Sequence, residues 1–495
     1  MRECQCHASL SLFASRASPA CRVPIVCASE TRAKWITNRV RQSGLYWAAG
    51  LDATAGPARR PGLPSDPSRR LDRRITVRPH ESAEQRVLQA VRFGDEQPTW
   101  IRPSYDGFGI ANLPWSLLAA LGGEPQGPPV SAEVWPQQLA AGVEAVLLLV
   151  IDGLGYRRLQ ETMAEGITPA IARLREQAAW FPLTSIFPST TAAALTTLAT
   201  GQPPARHGLV GFTCYLREFG MLSNLLFWTP LGKFPSYASQ GLDPRAFLPV
   251  PTIAELATGQ GIDCVAVAPE AFRETPLTRM HSAAARYLGY RTAGEFVALV
   301  HRALAEPGRR LVTAYWDTID NLGHFSGPDH PATLTELRQL DRLLVEELLA
   351  RLPRRDVLVV LTADHGMVAL DPAREHRLNG LPLLERVMVP PGGERRAVYW
   401  YARSEEREAL RQELLELAGE DGWLASGEAL LSEGLLGPPP HHPEAAWRVG
   451  DLVLIARGGA SFPYDPPGVT PRPSFGAHAG LEAEEQLVPC LVWRP

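Results

Sequence analysis

The chain has 495 residues, 45% of them hydrophobic and 21% charged, with a formal net charge of −4. That length suits one large core with insertions, or two to three domains, and the composition is that of a globular protein. The charge gives no reason to expect a nucleic-acid polymer as partner, and no apolar run approaches the ~20 residues that a membrane-spanning helix needs.

The average hides an unusual start. Residues 1–75 carry 13 Lys/Arg against 5 Asp/Glu, a balance of +8 that leaves −12 for the remainder. The segment from 1 to about 97 is rich in Arg, Pro and Ser, and a stretch such as "GPARRPGLPSDPSRRLDRR" cannot bury a core. A disordered leader is the expectation for residues 1–97. It lacks the compact apolar stretch of a secretory signal, so a cytoplasmic location is expected, although its Arg-rich, acid-poor character also suits a transit peptide or an over-long reading frame. Four of the seven cysteines (Cys4, Cys6, Cys21, Cys27) fall here. "CQCH" has no second Cys/His pair at finger-like spacing, so a structural zinc site is not expected. Cys214, Cys264 and Cys490 stand in apolar contexts and read as reduced core residues.

From about residue 98 strands alternate with helices. "EAVLLLVIDGLG" is an unbroken apolar run ending in Asp152 and glycines, and "ITPAIARLREQAAW" has helical spacing. "FPLTSIFPSTTAAALTTLATG" is a strand leading into a helix of small residues, and "GIDCVAVAPEAF" and "RRLVTAYWDTID" are further strands. "PATLTELRQLDRLLVEELLARL" is a long amphipathic helix before "VLVVLTADHGM", another strand without alternation. Unbroken apolar strands are covered on both faces, and strands separated by helices imply an α/β fold with a mostly parallel sheet and helices on both sides. Two segments, about 213–300 and 370–465, read as cap insertions into a catalytic domain spanning 98–495. The second contains the strand "RRAVYWYARS" and the helix "EEREALRQELLELAGE".

In open parallel sheets, ligands collect beyond the carboxyl ends of the strands. Four such places here carry acids or histidines: Asp152; Asp320 and His324 in "DTIDNLGH"; Asp364 and His365; and His478 in "GAHAGL" before the last strand. One Asp after a strand is ordinarily a turn or helix cap. Three Asp and three His at successive strand ends point instead to metal ligation, by Zn²⁺ and also by Mn²⁺ or Fe²⁺. Six ligands suit two ions with positions left for substrate. The Ser/Thr cluster before "TAAALTTLATG" opens a helix, where a hydroxyl is either an N-cap or a nucleophile beside an anion site.

The set "VIDGLG", "TTAAALTTLATGQPPARHGLVG", "DNLGH", "TADHGM" and "GAHAGL", in that order, resembles the alkaline phosphatase superfamily, and within it the type I phosphodiesterase/nucleotide pyrophosphatase family. The resemblance covers about residues 140–495. It implies an alkaline-phosphatase-like fold and a two-zinc site, with manganese as the alternative ion. Asp152, Asp364, His365 and the nucleophile would hold one metal, and Asp320, His324 and His478 the other. Asp317, on the same segment as Asp320, would cap or orient. The family's nucleophile stands ten residues before the Gly of the "TG" step; counted from Gly201 this is Thr191, with Thr190 as its neighbour. Thr191 would serve as both helix cap and attacking group. His207 matches a structural position. The family's phosphate-contacting Asn, five residues past "HG", is replaced by Phe212, for which Thr213 or Tyr215 could substitute. The implied activity is hydrolysis of a small phosphodiester or pyrophosphate through a phospho-threonine. A phosphomonoesterase or phosphomutase of the same superfamily, or a metal-binding regulatory protein without catalysis, are the alternatives. A sulfatase is not indicated, because its Cys/Ser-x-Pro-x-Arg segment is absent.

Overall fold

The computed structural model describes residues 80–495 apart from 96, 233, 468–470 and 472. Residues 1–79, with the four leader cysteines and the targeting question they raise, lie outside the described residues. The expected boundary at 97 shifts toward the N-terminus. His80–Ala90 is a helix packed against the strand Ala179–Thr184, and Val87 and Val91 are buried in the main core. Composition misplaced this boundary because the helix is polar on its other sides.

Seven strands form the central sheet, in the order Ala179–Thr184, Leu487–Trp493, Val357–Thr362, Ala145–Ile151, Arg310–Trp316, Asp263–Pro269, Arg286–Tyr290. All neighbouring pairs are parallel except those made by Leu487–Trp493, which runs antiparallel to both of its neighbours. Ala145–Ile151 and Val357–Thr362 are buried at every position, which explains their unbroken apolar sequences. The long helix expected over 331–352 starts as an α-helix at Pro331–Arg342, widens to a π-helical turn at Leu343–Leu348 and ends in a 3₁₀ turn at Leu349–Arg351.

The insertion expected over 213–300 is shorter than that. Asp263–Pro269 and Arg286–Tyr290 pair within the central sheet, so the inserted part ends before them. The remainder joins the second insertion in one antiparallel seven-stranded sheet, ordered Gly422–Ser426, Leu452–Ala456, Ala397–Ala402, Val387–Glu394, Thr213–Leu216, Met221–Asn224, Thr229–Pro230. The two insertions meet where Gly393 pairs with Thr213. A fully buried ion pair ties this cap to the segment behind His478: Arg396 Nε and Nη2 donate to Glu485 at 2.9 and 2.8 Å. No described helix is long and apolar enough to cross a membrane. Cys214, Cys264 and Cys490 are buried free thiols.

Candidate active site

Three adjacent strands of the central sheet deliver the site. Asp152 follows Ala145–Ile151, Asp364 and His365 follow Val357–Thr362, and Asp320 and His324 lie one helical turn apart on Thr318–Ser326, just past Arg310–Trp316. Gly153 is required by this convergence: its φ is +74°, and a Cβ there would come within 2.9 Å of the Asp320 Cα. His478 arrives from a different direction, after the short strand Gly476–Ala477, which pairs with Val368–Ala369. The next residue, Ala479, holds a φ of 99° and donates its N–H to Ser189 Oγ at 3.1 Å.

Each histidine is oriented the same way. The Nδ1 of His365 lies 3.0 Å from the Gly366 carbonyl, that of His324 2.9 Å from the Gly476 carbonyl, and that of His478 2.7 Å from the Ser189 carbonyl. A carbonyl accepts only, so each Nδ1 carries the proton and each Nε2 presents a lone pair to the site. The Nε2 atoms of His324 and His478 are 3.1 Å apart. His365 Nε2 lies 3.4 Å from both Asp152 Oδ1 and Asp364 Oδ2, and His324 Nε2 lies 3.4 Å from Asp320 Oδ1. Asp320, His324 and His478 can converge on one ion, and Asp152, Asp320 and His365 on another, so Asp320 stands between the two groups and Asp364 borders the second.

The electrostatics demand positive charge here. Asp152 Oδ1, Asp320 Oδ1 and Asp364 Oδ2 are buried and receive no hydrogen bond. Burial, and then the charges of Asp364 and Asp320, push the Asp152 carboxyl well above the usual range, and burial also raises Asp364. For His365 burial opposes charge, but Asp364 and Asp320 outweigh it and hold the imidazole above its ordinary value. Burial, and then His365 and His324, push His478 well down. Clustered carboxylates without donors, facing imidazole lone pairs, fit divalent cations.

Thr191 and Thr190 are separated by the helix start. Thr190 occupies the N-cap position of Thr191–Thr200 and makes no side-chain cap, while Thr191 is the first helical residue. The expectation that Thr191 caps its helix is therefore corrected; the chain enters the helix one residue earlier. Thr190 is fully buried, its hydroxyl toward Glu394, whereas Thr191 is only partly buried, with Oγ1 3.1 Å from His365 Nε2. Asp317 occupies the N-cap position of Thr318–Ser326 without a side-chain cap bond; its carboxylate accepts from the Asn321 side chain at 3.2 Å. His207 is fully buried and stays outside the constellation, bonded to Thr197 and to the Leu209 N–H.

Two contributors escape a reading of the motifs. Tyr315, near the end of Arg310–Trp316, donates its hydroxyl to Asp152 Oδ2. Glu394 comes from the cap sheet and reaches within 3.9 Å of His478; burial pushes its carboxyl up to about 8. Tyr315 could have been inferred from its place at a strand end, but nothing local marks Glu394. Neither Thr213 nor Tyr215, which follow Phe212, borders the cavity beside Thr191; Asn321, from a different segment, does.

A family model described as type I phosphodiesterase / nucleotide pyrophosphatase matches residues 146–480. Among solved structures the chain is similar to murine ectonucleotide pyrophosphatase / phosphodiesterase 5, with 18% identity over 71% of this chain and 88% of that one and a TM-score of 0.53. It is also similar to a phosphonoacetate hydrolase from Sinorhizobium meliloti 1021 in complex with phosphonoacetate, with 18% identity over 71% of this chain and 90% of that one and a TM-score of 0.53. No curated protein matches at comparable stringency. The matched segment runs from within the strand Ala145–Ile151 to just past His478, and so encloses every residue of the constellation. The chain belongs to the type I phosphodiesterase/nucleotide pyrophosphatase family of phosphoester hydrolases.

Proposed function

We propose that the protein cleaves a phosphodiester or pyrophosphate bond of a small-molecule substrate by covalent catalysis on Thr191, at a site built for two divalent ions. The observation that carries this reading is the placement of Thr191 Oγ1 3.1 Å from His365 Nε2, an atom itself 3.4 Å from Asp152 and Asp364. Asp152, Asp364, His365 and Thr191 would hold one ion, and Asp320, His324 and His478 the other, with zinc favoured and manganese as the alternative. Ions bound there would lower the pKa of a hydroxyl or water and polarise the phosphoryl group.

The chain's own residues supply position. The helix start fixes Thr191 at the mouth of the site, where its hydroxyl gives up its proton and its oxygen forms the new bond to phosphorus as the bond to the leaving alkoxide or phosphate oxygen breaks, and that oxygen takes up a proton. Water then attacks the phospho-threonine, releases the phosphorylated product and restores the hydroxyl. Tyr315 holds Asp152 in its orientation, and the three Nδ1–H groups on backbone carbonyls keep the imidazoles from rotating. Turnover of bis-p-nitrophenyl phosphate against p-nitrophenyl phosphate, with and without added Zn²⁺ or Mn²⁺, tests the proposal. Diester cleavage that depends on the metal supports it; cleavage of the monoester alone assigns a phosphomonoesterase.

A further inference from the structure

A parallel sheet is normally covered by helices on both faces, yet one face of this sheet is left bare next to Thr191. Ala266 and Ala268 on one strand, and Thr313 and Tyr315 on its neighbour, alternate along the sheet and all remain partly exposed. The helices Thr191–Thr200, Ile253–Gly259 and Pro276–His281 stand off from them and enclose a cavity of about 420 Å³. Thr191, Asp152 and Asp320 line its catalytic end, so the cavity opens directly on the reacting centre.

The walls are mostly apolar. Leu195 and Leu198 of the nucleophile helix, Ala254, Leu277 and Phe272 contribute to them, and no Lys or Arg lines the cavity among the described residues. The carboxylates that do line it are Asp152, Asp317 and Asp320, at the end occupied by the metal-ligand constellation. His281 also lines it, 2.8 Å from Thr196 Oγ1, and burial holds its imidazole far below the usual range, so a second phosphate in the cavity would find a neutral ring and three acids. Phe227, which borders the cavity from the cap, is 56% exposed and adds an apolar side chain to its rim.

We infer that this cavity binds an uncharged hydrocarbon chain esterified to the phosphoryl group, so that the substrate class is an alkyl phosphodiester and not a pyrophosphate-linked nucleotide. The inference rests on the reading of Thr191 as nucleophile only for where the phosphoryl group sits. A chain entering beside Leu195 displaces water from apolar walls, and each methylene buried there strengthens binding about threefold to fourfold.

Titration calorimetry of the full-length protein, loaded with Zn²⁺, against methyl-, butyl-, hexyl- and octylphosphonate tests it without requiring turnover. Affinity should climb steeply from methyl to octyl, and thymidine 5′-phosphate should bind more weakly than octylphosphonate. Ala266→Phe and Ala268→Phe, which narrow the cavity from the sheet side, should bring octyl binding down towards that of the methyl compound. A flat chain-length series in the unaltered protein, or tighter binding of thymidine 5′-phosphate, overturns the inference. Hydrolysis of methyl and octyl p-nitrophenyl phosphodiesters is read in parallel. Chain-length-dependent binding without hydrolysis of either ester sustains the cavity assignment and removes the hydrolytic reading instead.

Discussion

The hydroxyl of Thr191 lies 3.1 Å from Nε2 of His365, joining the start of a helix to the end of a strand 174 residues further along the chain. Thr190, one residue earlier, is fully buried and faces Glu394. Thr191→Ala should therefore remove several orders of magnitude of turnover, since no other hydroxyl occupies that position. Its cost in stability should be small, on the order of a few tenths of a kcal/mol, because Thr191 is not the cap and Ala favours a helix. Thr190→Ala should keep most of the activity. Peptide mapping after trapping with a slow substrate reads the label, and a phosphoryl group on Thr190 would reverse the assignment.

Asp364→Ala and His324→Ala attack the two halves of the metal site separately. Each should lower the bound metal by about one ion per chain and remove nearly all activity, as loss of ligands does at catalytic metal sites. Elemental analysis of the purified variants measures this directly. The unaltered protein should also lose activity on dialysis against a chelator and regain it with Zn²⁺ or Mn²⁺. Active enzyme free of metal would end the two-metal reading.

Much of the site was legible because it obeys the rule that groups collect beyond parallel strand ends, and because buried strands such as Val357–Thr362 leave an unbroken apolar run in the sequence. Asp364 and His365 stand out for that reason. Glu394 does not, since it reaches the site only through the pairing of Val387–Glu394 with Thr213–Leu216, two insertions distant in sequence. Strand pairing between insertions depends on long-range packing that local pattern does not encode. The start of the nucleophile helix is not legible to the residue for a related reason: Thr190 and Thr191 have the same capping propensity, and only the backbone, with Thr190 at φ −131° and ψ 141°, separates them.

The helix His80–Ala90 bears on where the folded domain begins. A chain starting at residue 98 loses Val87 and Val91 from the core, along with the bridge between Arg92 and Ile101. Burying a valine contributes roughly 1.5–3 kcal/mol, so the shortened chain should be less stable by several kcal/mol. A chain starting at residue 79 should not show this loss. Denaturant midpoints of the two truncations decide the matter, and equal midpoints would show that the helix adds nothing.

The Arg396–Glu485 pair is completely buried and doubly hydrogen-bonded, and Glu485 also accepts the Gly366 N–H through its backbone carbonyl at 2.9 Å. Breaking a buried pair leaves an uncompensated charge, which costs about 3–5 kcal/mol. Glu485→Ala should show that loss in denaturant unfolding. The double variant Arg396→Met with Glu485→Leu should recover most of it, because two apolar side chains need no solvation. A double variant as unstable as Glu485→Ala would mean that the geometry of the pair, and not its charge balance, holds the cap against the His478 segment.

His207 supplies a stability effect that depends on pH and is independent of the metals. Its Nδ1 accepts the Leu209 N–H at 3.1 Å, so the ring is neutral and its proton sits on Nε2, 3.0 Å from Thr197 Oγ1. Protonating Nδ1 would set two N–H groups against each other. Burial, followed by the nearby His281 and His442, holds the imidazole well below its ordinary value of 6.5, and Arg448 adds to the effect. The unfolded chain takes up this proton near 6.5 and the folded chain does so only at much lower pH. Between those limits the unfolded state binds more protons, so stability rises with pH and is lost as the pH falls below about 6.5. In His207→Asn the side-chain carbonyl can still accept from Leu209, but nothing titrates. The variant should be less stable than the parent at about pH 7.5 because contacts are lost, and this gap should shrink as the pH is lowered towards about 5. Urea unfolding across that range measures the two curves. If they run parallel, His207 does not contribute to the acid sensitivity of the fold.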